Sequence, residues 1–390
     1  MIPLMRNAFS FEDKTKKELS EFILSAKQLS MGDQCLAFEK EFSKFQDCEE
    51  SILFNSGGSA NLSLLQAYKN LGVLKNNSKV GFSSLTWSTN VMPIIQLGMI
   101  PIAIDCEPNT LNIMSKNLLD TLENIKLDAL FITNVLGFTG DLDKIKIICD
   151  EKNILLIEDN CEALGSKLGN VRTGNFGRAA TFSFFVAHHM STIEGGMIAT
   201  SDKELAEMLR IVRANGWDRN LKSKQQSELR KKNNILGEFE AKYTFYDLGY
   251  NLRPTEITAT LGLIQLQYLE QNIIIRNNNH LELVKGLKEN PDLINVDFHH
   301  LDFLSPFAFP VVCKTKKLRD YYFQQFSGAG IEIRPMIAGN IQNQPFYKKY
   351  SKIETKCPGA DFLEKNSFYC GNYPELTSFD LETIKSCLIK

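Results

Sequence analysis

Short apolar runs that alternate with amphipathic stretches, through roughly the first two thirds of the chain, constrain the fold more than any other feature. Runs at 51–54, 79–82, 100–105, 129–135, 154–158, 181–185 and 196–200 read as strands. Helical patterns at 60–71, 142–152 and 202–215, the last closed by Gly216, separate or follow them. Strands this short and apolar are buried on both faces, and helices returning between them make neighbouring strands parallel. The predicted class is α/β with a mostly parallel sheet flanked by helices. A long helix at 254–270, with Pro254 suited to its first turn, leads into a second part. There the pattern gives a helix at 278–288, strands at 294–298 and 307–313, and a helix at 318–326 broken by Gly328-Ala-Gly330. A strand at 331–333 and a last helix at 379–389 complete it. With 390 residues, more than one domain is expected: a large one over 1–253, and a linking helix with a smaller α+β domain over 254–390. The polar, lysine-rich segment 215–246 reads as a surface excursion or a subunit contact.

Composition narrows the function classes. Net charge is −2, from 44 basic against 46 acidic residues, so no global field favours nucleic acid or an anionic membrane. An anionic ligand must be held by local geometry. The nine cysteines are scattered without any CxxC spacing and read as reduced thiols. The first residues lack the basic-then-apolar order of a signal peptide, and no apolar run is long enough to span a bilayer. The expectation is a soluble, cytoplasmic protein.

Three local features bear on chemistry. Asn55-Ser-Gly-Gly-Ser-Ala-Asn61 lies between an expected strand and an expected helix. Small residues there let the backbone approach a phosphate, and free N–H groups at a helix N-terminus favour an anion. A plain turn explains the same residues equally well. Glu158-Asp159 ends an apolar strand, where ligands bind in open α/β sheets. Asp159 can pair there with the ring nitrogen of a pyridine cofactor, or simply cap a helix. The third is His188-His189 in SFFVAHHMSTIEGG, two of only five histidines. A metal site or a plain structural pair are the readings of the pair itself, and neither explains the flanking serine and Glu-Gly-Gly.

A family resemblance joins these features. The chain resembles the DegT/DnrJ/EryC1/StrS group of sugar aminotransferases from near its start to about Gln344. The motifs fall in the family's order: the Ser56–Asn61 turn, Trp87 in LTWST, Glu158-Asp159, the Ser-Phe segment at Ser183, and GYNLRPTE from Gly249 to Glu256. The resemblance implies a pyridoxal-phosphate enzyme of the fold-type I aminotransferase class, with a seven-stranded sheet. It implies that Gly57, Gly58, Ser59 and Ser183 hold the cofactor phosphate, that Trp87 stacks on the ring, and that Asp159 pairs with its nitrogen. Asn251 would reach the phosphate of a neighbouring subunit's cofactor, which implies a homodimer with shared active sites.

One position departs from the family. The aminotransferases place the cofactor-holding lysine five residues after the serine of Ser-Phe, and here that residue is His188. Imidazole cannot hold the cofactor covalently, but it moves protons near neutral pH. A histidine there resembles the nucleotide-sugar 3-dehydratases, as do Ala187-His188-His189, Glu194-Gly-Gly and the segment AGNIQNQP at 338–345. One branch of that subgroup carries a [2Fe–2S] cluster and works with a reductase; without grouped cysteines this chain resembles the iron-free branch, and no iron–sulfur reductase is expected. The substrates so implied are a GDP-linked 4-keto-6-deoxy sugar, GDP-4-keto-6-deoxymannose on the route to GDP-colitose, and L-glutamate. Pyridoxamine phosphate would be the working cofactor, His188 the base and then the acid in loss of the C3 hydroxyl, and ammonia a product. Glu162 would take the ring hydroxyl, or be a solvated strand-end glutamate. Arg219, Arg253 and Arg334 are candidates for the pyrophosphate or the glutamate carboxylate, because a guanidinium binds either bidentately. The rival readings are a 4-aminotransferase, a non-catalytic sugar-nucleotide-binding member of the family, and a metal hydrolase built on the two histidines.

Overall fold

The protein is described by a computed structural model over residues 1–235, 237–287 and 290–389. Its strands are β1 (Glu50–Phe54), β2 (Lys79–Ser83), β3 (Ile100–Ile104), β4 (Ala129–Thr133), β5 (Leu155–Asp159), β6 (Lys167–Leu168), β7 (Val171–Arg172), β8 (Ala179–Ser183), β9 (Gly196–Thr200), β10 (Leu293–Ile294), β11 (Ala308–Cys313), β12 (Ile333–Pro335) and β13 (Ser367–Gly371). A seven-stranded sheet takes the order β1-β9-β8-β5-β4-β2-β3, and only β9 runs against its neighbours. β4 is buried throughout and β9 likewise, as expected of strands covered on both faces. β6 and β7 form a separate hairpin. The later strands make an antiparallel sheet of order β10-β11-β13-β12.

Helix Glu256–Leu287 links the two sheets. Its Ala259, Leu269 and Ile273 pack with Phe38, Phe42, Phe182 and Phe184 beside the large sheet. Its Leu283 and Leu287 join Phe309, Phe326 and Phe368 in the core of the smaller one. The predicted helices 254–270 and 278–288 are therefore one element of 32 residues, and the expected end at Lys288 lies outside the described residues. Polar residues along it have distant partners: the Asn272 amide donates to Ser10 Oγ at 2.7 Å, and the Asn279 amide to the Tyr373 carbonyl at 3.1 Å. Strand 331–333 is displaced to β12, and 294–298 shrinks to β10. Strand 181–185 begins two residues earlier and ends at Ser183, as β8. In segment 215–246, read as a surface excursion or a subunit contact, helix Ser223–Lys232 has no buried residue in the single chain. Among the described residues, no helix is long and apolar enough to cross a membrane.

Candidate active site

The site lies at the carboxyl ends of the parallel strands, where such sheets bind ligands. One row of the sheet sets its floor: Phe54 pairs with Gly196, and Gly196 pairs with Ser183. The turn after β1 therefore crosses over β9 to reach Ser183. Gly196 permits that crossing, because an added Cβ there would stand 2.2 Å from the Ser56 carbonyl oxygen. This gives the second glycine of Glu194-Gly-Gly a physical reason. Helix Gly57–Asn70 begins three residues before the expected start, so the glycines form its first turn and not a loop. Ser56 caps it by accepting from the Ser59 N–H at 3.1 Å, and its hydroxyl donates to Ser59 Oγ at 2.9 Å. An added Cβ on Gly57 would lie 2.7 Å from Ser183 Cβ, so the helix N-terminus and Ser183 are in direct apposition.

Asp159 closes β5, 4% exposed. Its Oδ2 accepts from the Asn61 amide at 2.9 Å and, more weakly, from the Asn90 amide at 3.5 Å; its Oδ1 accepts from the Cys161 N–H at 3.2 Å. Asn61 is one turn along the helix that Gly57 starts, so the element whose N-terminus abuts Ser183 also orients Asp159. Asn90 sits in the first turn of helix Ser88–Gln96, whose N-cap is Trp87. Trp87 is 56% exposed, which excludes a core aromatic. The segment 338–345 supports this loop from behind: Leu85 bridges Asn340, and the Ile341 N–H donates to the Ser84 carbonyl at 2.9 Å. Glu162 is not a solvated glutamate. Its Oε2 accepts from the Leu136 N–H at 2.8 Å, and burial pushes the carboxyl up to about 7, with the charge of Asp159 adding to the rise. Glu158 faces away from the site and is a buried anchor, accepting from the N–H groups of Gly174, Phe176 and Gly177.

His188 follows β8 on an irregular stretch. Its ring packs against Phe307, with centroids 5.2 Å apart, and edge-on to Phe185 at 6.3 Å. Burial pushes the imidazole down to about 4, and the Arg276 charge acts in the same direction. The ring is therefore neutral over the physiological range and is a proton acceptor. His189 turns elsewhere: it is 3% exposed, and its Nε2 lies 3.1 Å from the Ser305 carbonyl. Arg276, from the long helix, donates to the Phe307 carbonyl at 3.0 Å, to the His188 carbonyl at 3.4 Å and to the Asn372 carbonyl. Neither Arg276 nor Phe307 was legible in sequence, because each reaches His188 from far along the chain and neither stands in a local motif. Asn61 stood in the quoted turn, but its role follows only from helix geometry.

The remaining predicted residues stand apart from this group. Asn251 is exposed and its Oδ1 accepts from Arg253 Nε at 3.1 Å; the pair flanks the Asn55 turn, whose N–H donates to the Leu252 carbonyl at 3.2 Å. Arg219 is exposed and lies over the Trp217 ring, 4.6 Å from its centroid. Arg334 is exposed and pairs with Glu332 at 2.6 Å. Among the described residues, none of the three arginines bonds to Asp159, His188 or the Gly57 turn. A concavity of about 790 Å³ lies by Cys48, Arg178 and Asp202, at the start of β8 and the end of β9. That is the end of the sheet remote from Asp159 and Ser183, so it is not this site.

The group thus contains a helix N-terminus open to an anion, a buried carboxylate one turn deeper, an exposed indole, and a neutral imidazole. Such a set fits a phosphate-bearing pyridinium ring with a proton-moving group beside it. A model of the DegT/DnrJ/EryC1/StrS aminotransferase family matches residues 11–389. GDP-4-keto-6-deoxy-D-mannose 3-dehydratase of Escherichia coli O55:H7 is 30% identical over 383 residues, 96% of each chain. The lipopolysaccharide biosynthesis protein RfbH of Salmonella typhimurium is 31% identical over 367 residues, 90% of this chain and 83% of that protein. A crystal structure of GDP-4-keto-6-deoxymannose-3-dehydratase with a trapped PLP-glutamate geminal diamine superposes with a TM-score of 0.88 at 29% identity, covering 100% of both chains. The fold is that of the pyridoxal-phosphate aminotransferases, with a smaller C-terminal domain. The chain belongs to the DegT/DnrJ/EryC1/StrS aminotransferase family.

Proposed function

We propose that this chain is a nucleotide-sugar 3-dehydratase dependent on pyridoxal and pyridoxamine phosphate. It removes the C3 hydroxyl of GDP-4-keto-6-deoxymannose, in the cytoplasm, for dideoxysugar synthesis of the colitose type that supplies lipopolysaccharide O-antigen. The observation that carries the reading is His188, a neutral imidazole where the family's aminotransferases have their lysine. When bound, the cofactor supplies the amine that condenses with the C4 ketone and the pyridinium ring that takes up electrons. Asp159, oriented by Asn61 and Asn90, keeps that ring nitrogen protonated. Gly57, Gly58, Ser59 and Ser183 hold the phosphate, Trp87 covers the ring, and Glu162 meets its hydroxyl. His188 takes up one proton and returns it to the departing hydroxyl. The C3–O bond breaks, C3 gains hydrogen, L-glutamate is oxidised to 2-oxoglutarate, and its nitrogen leaves as ammonia.

A homodimer that shares its active sites belongs to this reading. It is supported by Phe239, Tyr243 and Leu248, which are 79%, 74% and 70% exposed on the chain leading to Asn251 and Arg253. A second copy would cover this apolar surface and bring Asn251, with Arg219 and Arg253, to the neighbouring phosphates. Arg334, on β12, is the candidate from the chain's own small sheet.

The test supplies pyridoxal phosphate, L-glutamate and GDP-4-keto-6-deoxymannose to the purified protein and follows product mass with free ammonia. A 3-deoxy-4-keto sugar with one ammonia per turnover is the expected result. An amino sugar without ammonia would make the chain a transaminase and overturn the role given to His188.

A further inference from the structure

The segment ahead of helix Glu12–Ser25 is tied to the edge of the small sheet. Ile2 forms a parallel bridge with Ile331: its N–H donates to the Gly330 carbonyl at 2.8 Å, and its carbonyl accepts from the Glu332 N–H at 2.8 Å. In an uninterrupted parallel ladder the next bond would run from the Leu4 N–H to the Glu332 carbonyl. Here it runs to the Glu332 side chain instead, the Leu4 N–H donating to Oε2 at 2.9 Å. The other carboxylate oxygen, Oε1, pairs with Arg334 Nη2 at 2.6 Å. Leu4 is pressed against the end of β13, where a Cβ added to Gly371 would stand 2.5 Å from the Leu4 carbonyl oxygen.

Glu332 and Arg334, two apart on extended chain, share one face of it. That face is turned toward the large sheet. Phe368 and Cys370 of β13, with Ile333 of β12, pack into the core of the small sheet. Tyr369, between them and directly opposite Arg334 in register, packs instead against the core that holds Ile52, Phe82 and Phe131. Burial raises the Tyr369 phenol to about 12, the charge of Glu162 adds to the rise, and that of Arg334 opposes it. One phenol is thus approached by Glu162 from the cofactor side and by Arg334 from the small sheet.

An ion pair between two exposed, flexible side chains orders neither of them well. Here the carboxylate is fixed first, by a backbone donor that has no rotamers of its own, and the guanidinium meets an acceptor already in place. Arg334 also donates from Nη1 to the Ile333 carbonyl at 3.1 Å. Most of its five donors stay open, in a planar fork that suits an oxyanion. We propose that Leu4 is a positioning residue for substrate binding: its N–H orients Glu332, and through Glu332 it aims the Arg334 guanidinium at an oxyanion of the substrate. The same segment runs on beside His188, since Met5, Asn7, Ala8 and Phe9 line one recess with it, and reaches the long helix where the Ser10 N–H donates to Gln265 at 2.8 Å. The inference rests on the proposed function for the identity of the oxyanion, the pyrophosphate of the sugar nucleotide or the carboxylate of L-glutamate.

Proline has no N–H, so Leu4→Pro deletes the donor and keeps every charge, whereas Leu4→Ala keeps the donor. Crystal structures of the full-length variants beside the wild type read the orientation without any ligand. Arg334 should leave its place in Leu4→Pro and keep it in Leu4→Ala. Glu332→Ala, a variant that leaves the segment itself unchanged, should release Arg334 in the same way. Affinity is read by titrating the protein with GDP, for the pyrophosphate, and by the L-glutamate dependence of converting bound pyridoxal phosphate to the pyridoxamine form, for the carboxylate. At least one of the two should weaken about fivefold or more in Leu4→Pro and in Arg334→Ala, and stay within about twofold of wild type in Leu4→Ala. In turnover that ligand's KM should rise while kcat stays within about twofold. On a Glu332→Ala background, Leu4→Pro should add less than about twofold, because its route to Arg334 is gone. An Arg334 that keeps its orientation in Leu4→Pro or Glu332→Ala, or Leu4→Pro affinities for both ligands equal to wild type, would overturn the proposal. A dehydration assay that fails while these effects are present counts against the proposed reaction and not against the role of Leu4.

Discussion

His188 stands between Phe185 and Phe307 with its backbone held by Arg276, so its ring is placed by packing and not by a carboxylate. Replacing it with glutamine should remove the proton carrier and leave Asp159, Trp87 and the Gly57 turn intact. We expect kcat to fall by about 10²- to 10⁴-fold, while the cofactor still binds by absorbance titration; a variant that keeps near wild-type turnover would mean another group moves the proton. Gly196 is the other residue at which one atom decides the site. A Cβ there would meet the Ser56 carbonyl oxygen at 2.2 Å and the Gly57 nitrogen at 2.6 Å, both backbone, so no side chain can yield. Gly196→Ala should cost about 1–3 kcal/mol in urea unfolding and weaken cofactor binding more than Asp159→Asn does, because it displaces the phosphate end itself. If the variant binds pyridoxal phosphate normally, the phosphate is held elsewhere.

At the scale of elements, helix Gly57–Asn70 joins two features: its N-terminus abuts Ser183, where we propose the phosphate binds, and its Asn61 donates to Asp159. Ser56→Ala removes the side-chain cap and should cost about 1 kcal/mol, with a matching loss of phosphate affinity on the apoprotein; unchanged phosphate affinity would separate the cap from the site. The same helix shows what the sequence could carry. The apolar runs of all seven strands in the large sheet were legible because burial on both faces leaves few residue types permitted. Boundaries failed where a side chain found a non-local partner. The Gly-Gly pair read as loop, yet Ser56 caps it into the first turn. The stretch 271–277 between the two expected helices is continuous helix, in which Asn272 donates to Ser10 and Asn277 to the Leu304 carbonyl, while Asn279 just beyond donates to the Tyr373 carbonyl. Trp87, Ser183 and His188 were picked out by the family resemblance, whose motifs are local runs of sequence, and Asp159 by its place at the end of an apolar strand. Arg276 and Phe307 were not, because their use depends on how the long helix and the small sheet close over His188.

Across the whole molecule, buried titratable groups set how stability responds to pH. His280 lies one turn beyond Arg276 on the long helix, 2% exposed, its ring edge-on to Phe138 and Phe298 and tilted against Phe309. Neither of its ring nitrogens has a hydrogen-bond partner among the described residues, and burial pushes it down to about 3. A depressed histidine binds a proton in the unfolded chain before it does so in the fold. Its contribution is full above about pH 6.5 and is lost as pH falls from there toward the folded value. His188 and His189 share that sign. Glu162, raised to about 7, has the opposite one: its contribution is full below its ordinary value of 4.5 and is lost as pH rises through 7. Glu158, also raised by burial, acts with Glu162. The total slope is thus a difference of opposed terms, and a single substitution isolates one of them. In His280→Phe a phenyl ring takes the imidazole's place among aromatic rings and cannot titrate. Between pH 6.5 and 5 the wild-type unfolding free energy should fall by about 2 kcal/mol more than that of the variant, at about 1.4 kcal/mol per pH unit. Parallel urea-unfolding slopes for the two proteins would mean that His280 is charged in the fold, and would sink the account of a neutral, unpartnered imidazole in an aromatic cage.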